Sequence, residues 1–262
     1  MPTEFSTSED INIARFRDAG IVADYTDVRG PRDCETFLFS TYIVPGSDIL
    51  DLGVGAGRTA PVLAPLARNY LGVDYSQEMI AAAKRNFPQY RFSVMNAADL
   101  STLASESFDV IVFSFNGLSY LYPDEKRLAC IRECRRVLRQ GGILIFSLHN
   151  CRSFFVRPAR TSRSLAATLA SLIGALRDSG ARMYRRFQTK AFWLGHGYII
   201  TSSRGDLTTF AASAAYVCRE LNTAGFDFVA IYGDAYPNRM SRLLARWNYY
   251  VFRKEAASPS NR

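Results

Sequence analysis

From Asp48 onward the chain alternates short apolar runs with amphipathic stretches, and the two differ in period. Asp48–Leu52 reads as a short strand closed by a glycine-rich turn. Thr59–Arg68 has helical spacing, with Pro61 in the first turn, where its missing N–H removes no helical bond. Asn69–Asp74 predicts a second strand, and Ser76 an N-cap for a helix reaching Phe87. Tyr90–Val94 is a third strand. Phe108–Phe115 (FDVIVFSF) is a continuous run, as expected of a strand buried on both faces. Asp124–Leu138 is an amphipathic helix stopped by Gly141-Gly142, and Ile143–Leu148 a fifth strand. Strands alternating with helices across short connections predict a parallel sheet covered on both faces.

The alternation breaks at Asn150. Residues 151–190 carry no strand pattern, but Leu165, Leu169, Leu172, Ile173 and Leu176 fall at helical spacing. After this insert, Thr208–Ala224 predicts a helix ended by Gly225, and Phe226–Ile231 and Tyr249–Arg253 two more strands. The organisation expected is a helical N-terminal cap (1–40), a main α/β domain (41–150 and 191–255), the insert as a lid (151–190), and a frayed tail (256–262).

Composition sharpens this in three ways. Nearly half of the 262 residues are apolar, enough for a sizeable core and against disorder. The polar, acidic start lacks a signal-peptide pattern, and no apolar run reaches the length needed to cross a bilayer, so a cytoplasmic protein is expected. The five cysteines are scattered; Cys130 and Cys134 sit four apart with no histidine nearby, so reduced thiols are expected and no metal. The formal net charge is +8, and one segment holds all of it. From Arg152 to Lys190 there are nine basic residues against Asp178, while elsewhere 23 basic residues balance 23 acidic ones.

Chemistry begins at ILDLGVGAGR, residues 49–58. Gly53, Gly55 and Gly57 lie between a strand and a helix, where a tight turn lets a ligand approach the main chain. The helix end behind them offers free N–H groups. In open parallel sheets ligands bind at the carboxyl ends of the strands, and this loop is such an end. Dinucleotide-binding proteins share the arrangement, but their spacing is G-x-G-x-x-G, not G-x-G-x-G. Asp51 before the loop would repel a pyrophosphate and attract a cationic ligand. Asp74, ending the second strand, can accept hydrogen bonds from both hydroxyls of a ribose.

With these residues the chain resembles the class I S-adenosylmethionine (SAM)-dependent methyltransferases, particularly the group acting on small molecules. The matching stretches are LDLGVGAGR (50–58), GVDYSQEMI (72–80), FDVIVFSFNGLSYL (108–121), RVLRQGGILIFSLHN (136–150) and LNTAGFDFVAIYG (221–233). The resemblance implies a doubly wound, mostly parallel sheet of seven strands whose last is antiparallel, with the insert after the fifth. It implies SAM as cofactor, with Asp51, Gly53, Gly55 and Gly57 near its methionine part. Asp74 would bind the ribose, and Tyr75 and Met79 would flank the adenine. After the third strand, where the family usually has an acid, this chain has Asn96 and Ala97, with Asp99 further on. An asparagine carbonyl can accept the same hydrogen bond from the adenine amino group. Phe115 and Asn116 would border the transferred methyl, and Tyr25 would close over the cofactor.

The acceptor is less legible. Methyl transfer from a sulfonium needs alignment and exclusion of water, and a base only if the acceptor must lose a proton. His149, at the end of the fifth strand, and His196, after the insert, are the two histidines and the candidate bases, each weighed against a packing role. Tyr120 and Tyr198 are candidates to line the acceptor pocket. The Asn/Asp-Pro-Pro-Tyr/Phe motif of many base-modifying enzymes is absent, which counts against nucleic acid. Three explanations stand for the basic insert: a solvated face, attraction of a small acidic acceptor, or a membrane or nucleic-acid surface. Two other functions remain open: a non-catalytic binding module on the same fold, and an NAD-dependent oxidoreductase.

Overall fold

The computed structural model describes residues 8–27, 30–153, 165–200, 207–236 and 245–256. Five strands form a parallel block: β1 (Ser47–Leu52), β2 (Ala67–Asp74), β3 (Phe92–Val94), β4 (Phe108–Phe113) and β5 (Leu138–His149). Their order is β3-β2-β1-β4-β5. Beyond β5 the sheet continues through β9 (Trp247–Lys254), antiparallel to β5, and β8 (Phe226–Gly233), antiparallel to β9. These seven strands match the sheet expected, the last one reversed, and two further strands at the end of β5 bring the sheet to nine.

Side-chain alternation along the central strands builds a core on each face. Leu144, Phe146 and Leu148 of β5 join Tyr250 and Phe252 of β9 in one cluster, while Ile145, Tyr249 and Val251 join the other. All six residues of β1 are buried, as a strand covered on both faces requires. The connecting helices are α4 (Ala60–Leu63), α5 (Gln77–Asn86), α6 (Asp124–Val137) and α9 (Ala214–Thr223). Ser76 caps α5 as expected, its Oγ accepting from Met79 N at 3.1 Å.

Three elements differ from expectation. The helix predicted over 59–68 is only α4 plus one 3-10 turn, Ala64–Leu66, because Pro65 cannot supply the N–H that an α-helix would need there. Gly141-Gly142 does not stop an element. Gly141 takes φ +72 inside β5, which starts back at Leu138, and the register against β4 shifts at this point. The helix predicted over 208–224 splits at Ser213 into strand β7 (Thr208–Ala212) and α9. β7 pairs with β6 (His196–Ile200) in an antiparallel hairpin, joined to the end of β5 through His149 and Ala211.

The N-terminal segment forms α1 (Ser8–Arg17), α2 (Ala19–Asp27) and α3 (Asp33–Tyr42). The insert contains α7 (Leu165–Phe187), followed by α8 (Lys190–Leu194); residues 154–164 of it, and 257–262 of the tail, lie outside the described residues. None of the five cysteines forms a disulfide. Among the described residues no helix is long and apolar enough to cross a membrane, and no cluster of His, Cys, Asp and Glu could hold a metal.

Candidate functional site

A cleft of about 150 Å³ opens at the carboxyl ends of the parallel strands. The end of β1 supplies Gly53 and Gly55, and the end of β2 Asp74 and Tyr75. Met79 comes from α5, Asn96 and Ala97 from beyond β3, and Phe115 from beyond β4. Tyr25 of α2 covers it, in edge-to-face contact with Phe115. Nine of the residues the sequence nominated are thus brought together by the sheet order.

Asp74 is the fixed polar point of this cleft. One carboxylate oxygen accepts from Gly55 N and the other from Ser76 N, both at 2.9 Å. A carboxylate has about four lone-pair sites, so Asp74 retains capacity for a further donor. Burial raises its pKa to about 6, against the lowering effect of the Ser76, Gly55 and Tyr75 N–H groups. Asn96 Oδ1 accepts from Ala98 N at 2.9 Å, which holds the side chain in place at the cleft wall.

Two of the residues nominated beside the methionine part of the cofactor, Asp51 and Gly57, sit elsewhere. Asp51 is 1% exposed and lies behind the loop, where Thr59 Oγ1 (2.6 Å) and Tyr70 Oη (2.9 Å) donate to it. It organises the loop and does not line the cleft. Gly57 is likewise absent from the lining. A Cβ there would lie 2.8 Å from the Phe87 ring, so this glycine allows loop and α5 to pack.

Asp51 carries a pH prediction. Burial pushes its pKa up to about 6, more than the Thr59 and Tyr70 bonds lower it. A carboxyl raised above its unfolded value of about 3.9 contributes stability that is fully present below pH ~4 and lost as pH rises through ~6. Asp51→Asn is therefore expected to stabilise the fold by about 1–3 kcal/mol at neutral pH and to be near neutral at acid pH. Urea denaturation at both pH values measures this; an equal effect at both would refute the assignment.

Neither histidine reaches the cleft lining. His149 packs edge to face against Tyr120 and Trp247, with ring centroids 6.2 Å apart in each case. His196 is stacked on Tyr216 at 3.9 Å, with Nδ1 3.3 Å from the Leu194 carbonyl. The packing role fits both. Tyr198 likewise turns away, its hydroxyl donating to Asp124 at 3.1 Å, whereas Tyr120 does line the cleft.

Other residues come from elements whose placement the sequence does not reveal. Asn12 of α1 is 3% exposed; its Nδ2 donates to the Tyr120 (3.0 Å) and Thr208 (2.8 Å) carbonyls, tying the cap to the cleft wall and the hairpin. Phe16 packs on Tyr25 and Tyr120. Phe113, Tyr122 and Lys126 also belong to the wall. A polar residue in an otherwise ordinary helix, as Asn12 is, carries no sequence signal of such a role.

The turn after β4 is strained. Phe115 and Asn116 both take left-handed φ, 56 and 66, at a cost of order 1–3 kcal/mol each. Asn116 N donates to Ser147 Oγ at 2.7 Å, and this anchors the turn. The Phe115 ring is held between the guanidinium groups of Arg32 and Arg58, 4.8 and 5.0 Å from its centroid. Asn116 itself does not line the cleft.

A family model described as a methyltransferase domain matches residues 49–142, the segment from β1 into β5. A probable S-adenosylmethionine-dependent methyltransferase of Mycolicibacterium smegmatis is 32% identical over 134 residues, 49% of this chain and 50% of that protein. The chain thus spans about half the length of the curated relatives it matches. The CcbJ methyltransferase from Streptomyces caelestis superposes with a TM-score of 0.62 at 20% identity, over 92% of this chain and 98% of that one. The [4+2]-cyclase SpnF superposes at 0.59 with 15% identity, over 96% and 97%, so this fold also hosts other chemistry. Residues 49–142 thus resemble a methyltransferase domain, and the fold of the whole chain is shared with a solved methyltransferase.

Proposed function

We propose that the chain moves a methyl group from SAM to nitrogen, oxygen or carbon of a small acceptor. The observation that carries this is Asp74, fixed by two backbone N–H groups at the cleft and still able to accept from a ribose. The residues present fit the cofactor. A Cβ on Gly55 would point at Tyr25 and Met79, 3.7 and 3.9 Å away, so the bare loop leaves that space to a ligand. Tyr75, Met79 and Ala97 offer apolar surface for an adenine, and Asn96 an amide beside it. When bound, SAM supplies an activated methyl on a positively charged sulfur.

The chain's own contribution is alignment and exclusion of water. Phe16, Tyr25, Phe115, Tyr120 and Tyr122 make the acceptor side of the cleft aromatic. No histidine lines it, so a group that attacks with a lone pair already free, or one whose proton leaves to solvent, suits it best. Lys126 at the wall favours an acceptor with negative charge, in line with the basic insert. These features support a planar, partly apolar, anionic molecule.

Titration calorimetry with SAM, S-adenosylhomocysteine and NAD tests the donor site. The first two are expected to bind and NAD not to. Asp74→Ala removes a charged acceptor worth about 1.5–3 kcal/mol, roughly a 10- to 150-fold loss of SAM affinity. Binding of NAD, or unchanged SAM affinity in the variant, would overturn the reading.

A further inference from the structure

A helix that belongs to a globular core turns its large apolar side chains inward. α7 does the opposite. Its small residues face the protein: Ala175 is buried, and Ala167, Ser171 and Gly174 are half-buried. Its large residues face out. Leu169, Leu172, Ile173 and Leu176 recur at helical spacing and are between 45% and 71% exposed. Met183, Tyr184 and Phe187 continue the same stripe, all exposed.

The stripe extends into α8. Trp193 and Leu194 are each 66% exposed. The rings of Phe187, Phe192 and Trp193 pack on one another with centroids 4.5–5.4 Å apart. Trp193 Nε1–H donates to the Phe187 carbonyl at 2.7 Å, locking the end of α7 to α8. α8 leads directly into β6, whose Tyr198 packs on Tyr122 of the cleft wall at 4.9 Å. The outward apolar surface is therefore joined to the edge of the sheet that carries the cleft.

Charge decides what covers this surface. The segment from Arg152 to Lys190 holds the whole excess of the chain, nine basic residues against one acid. Arg152, Arg177 and Lys190 are exposed within it. A second copy of the chain docked stripe to stripe would bring two such segments together and repel. An anionic surface would attract them.

We infer that α7 and α8 form a platform that docks on an anionic phospholipid bilayer. The helix lies in the headgroup plane with Leu169–Leu176 turned into the acyl boundary and the tyrosine and tryptophan at the level where amphipathic rings settle. The flanking arginines and lysine meet the phosphates and carboxylates of the lipids. The helix does not cross. The cleft is thereby held near the membrane surface, where an amphiphilic acceptor would be concentrated.

Vesicle co-sedimentation of the full chain tests this, with phosphatidylcholine alone and mixed with phosphatidylserine. Binding to the mixed vesicles is expected to exceed that to neutral ones by about tenfold or more, and to fall as salt rises. Leu172→Asp/Leu176→Asp should lower it by about tenfold or more, and Arg177→Glu/Lys190→Glu by a similar factor. The substituted side chains are exposed, so circular dichroism and SAM affinity should match the native protein. Equal binding to both vesicle types, no binding, or native-like binding of the aspartate variant would each overturn the proposal. So would light scattering that shows a dimer dispersed by the aspartate pair while vesicles are ignored. The vesicle measurement needs neither SAM nor turnover, so it stands or falls apart from the methyl-transfer reading.

Discussion

Glu35→Ala is expected to destabilise the fold by about 3–5 kcal/mol, because it strands a buried guanidinium. Arg58 and Glu35 form a two-pronged ion pair, Nη1–Oε2 2.6 Å and Nη2–Oε1 2.8 Å, with side chains 9% and 0% exposed. Glu35 also accepts from Arg32 N at 2.7 Å and Tyr249 Oη at 3.1 Å. Burial alone would raise its pKa, yet the bonds from Arg58 outweigh this and hold it below the usual value. The pair joins the cap helix α3, the end of the glycine loop and β9. Without Glu35, the Arg58 charge stays desolvated and one support of the Phe115 ring is lost. For a chain of this size the loss corresponds to a fall in Tm of about 6–20 °C. Glu35→Leu with Arg58→Met should recover most of it, since removing both partners removes the unpaired charge. Thermal and urea denaturation of the single and double variants give the answer. A single variant losing less than about 1 kcal/mol would mean that water reaches the pair.

Gly55→Val should leave the chain folded but lower SAM affinity by about 100-fold or more, roughly 3 kcal/mol. Gly55 takes φ +56, so a side chain there costs about 1–2 kcal/mol of backbone strain. Its Cβ would meet nothing closer than Tyr25 at 3.7 Å, so the free protein can accommodate the residue. The added methyls then occupy the space left for the cofactor. The choice of position matters. At Gly53 the new Cβ would lie 2.6 Å from Phe113, and misfolding could not be told from lost binding. Calorimetry beside circular dichroism separates the two effects. SAM binding as tight as in the native protein would place the cofactor elsewhere in the cleft and remove the main support for the donor site.

The local and periodic features were legible in the chain itself. Continuous apolar runs such as the one from Phe108 specify strands buried on both faces, and β4 formed over Phe108–Phe113, two residues short of the run as read. The glycine loop and Asp74 were legible because their chemistry depends on a few residues close in sequence, brought together by two adjacent parallel strands. The N-cap at Ser76 is local for the same reason. Failures came where a distant contact overrode a local pattern. Thr208–Ala212 looked helical in continuity with α9, but it pairs with β6, and ladder hydrogen bonds outweigh intrinsic preference. Asp51 ends β1 with its carboxylate held by Thr59 and Tyr70, partners that the local pattern does not name. His149 ends β5 against Tyr120 and Trp247, a packing that the local pattern does not show. Asn12, Glu35 and the strained turn at Phe115 act only through partners that are remote in sequence. The composition of α7 specified an amphipathic helix; which face points outward was decided by the small residues that fit against the protein. Sequence therefore determined most of the strands, the glycine loop and the location of charge, because these follow from period and proximity. The cap, the ion pair behind the loop and the aromatic cleft wall were decided by tertiary structure, because burial alone determines which polar groups must find each other.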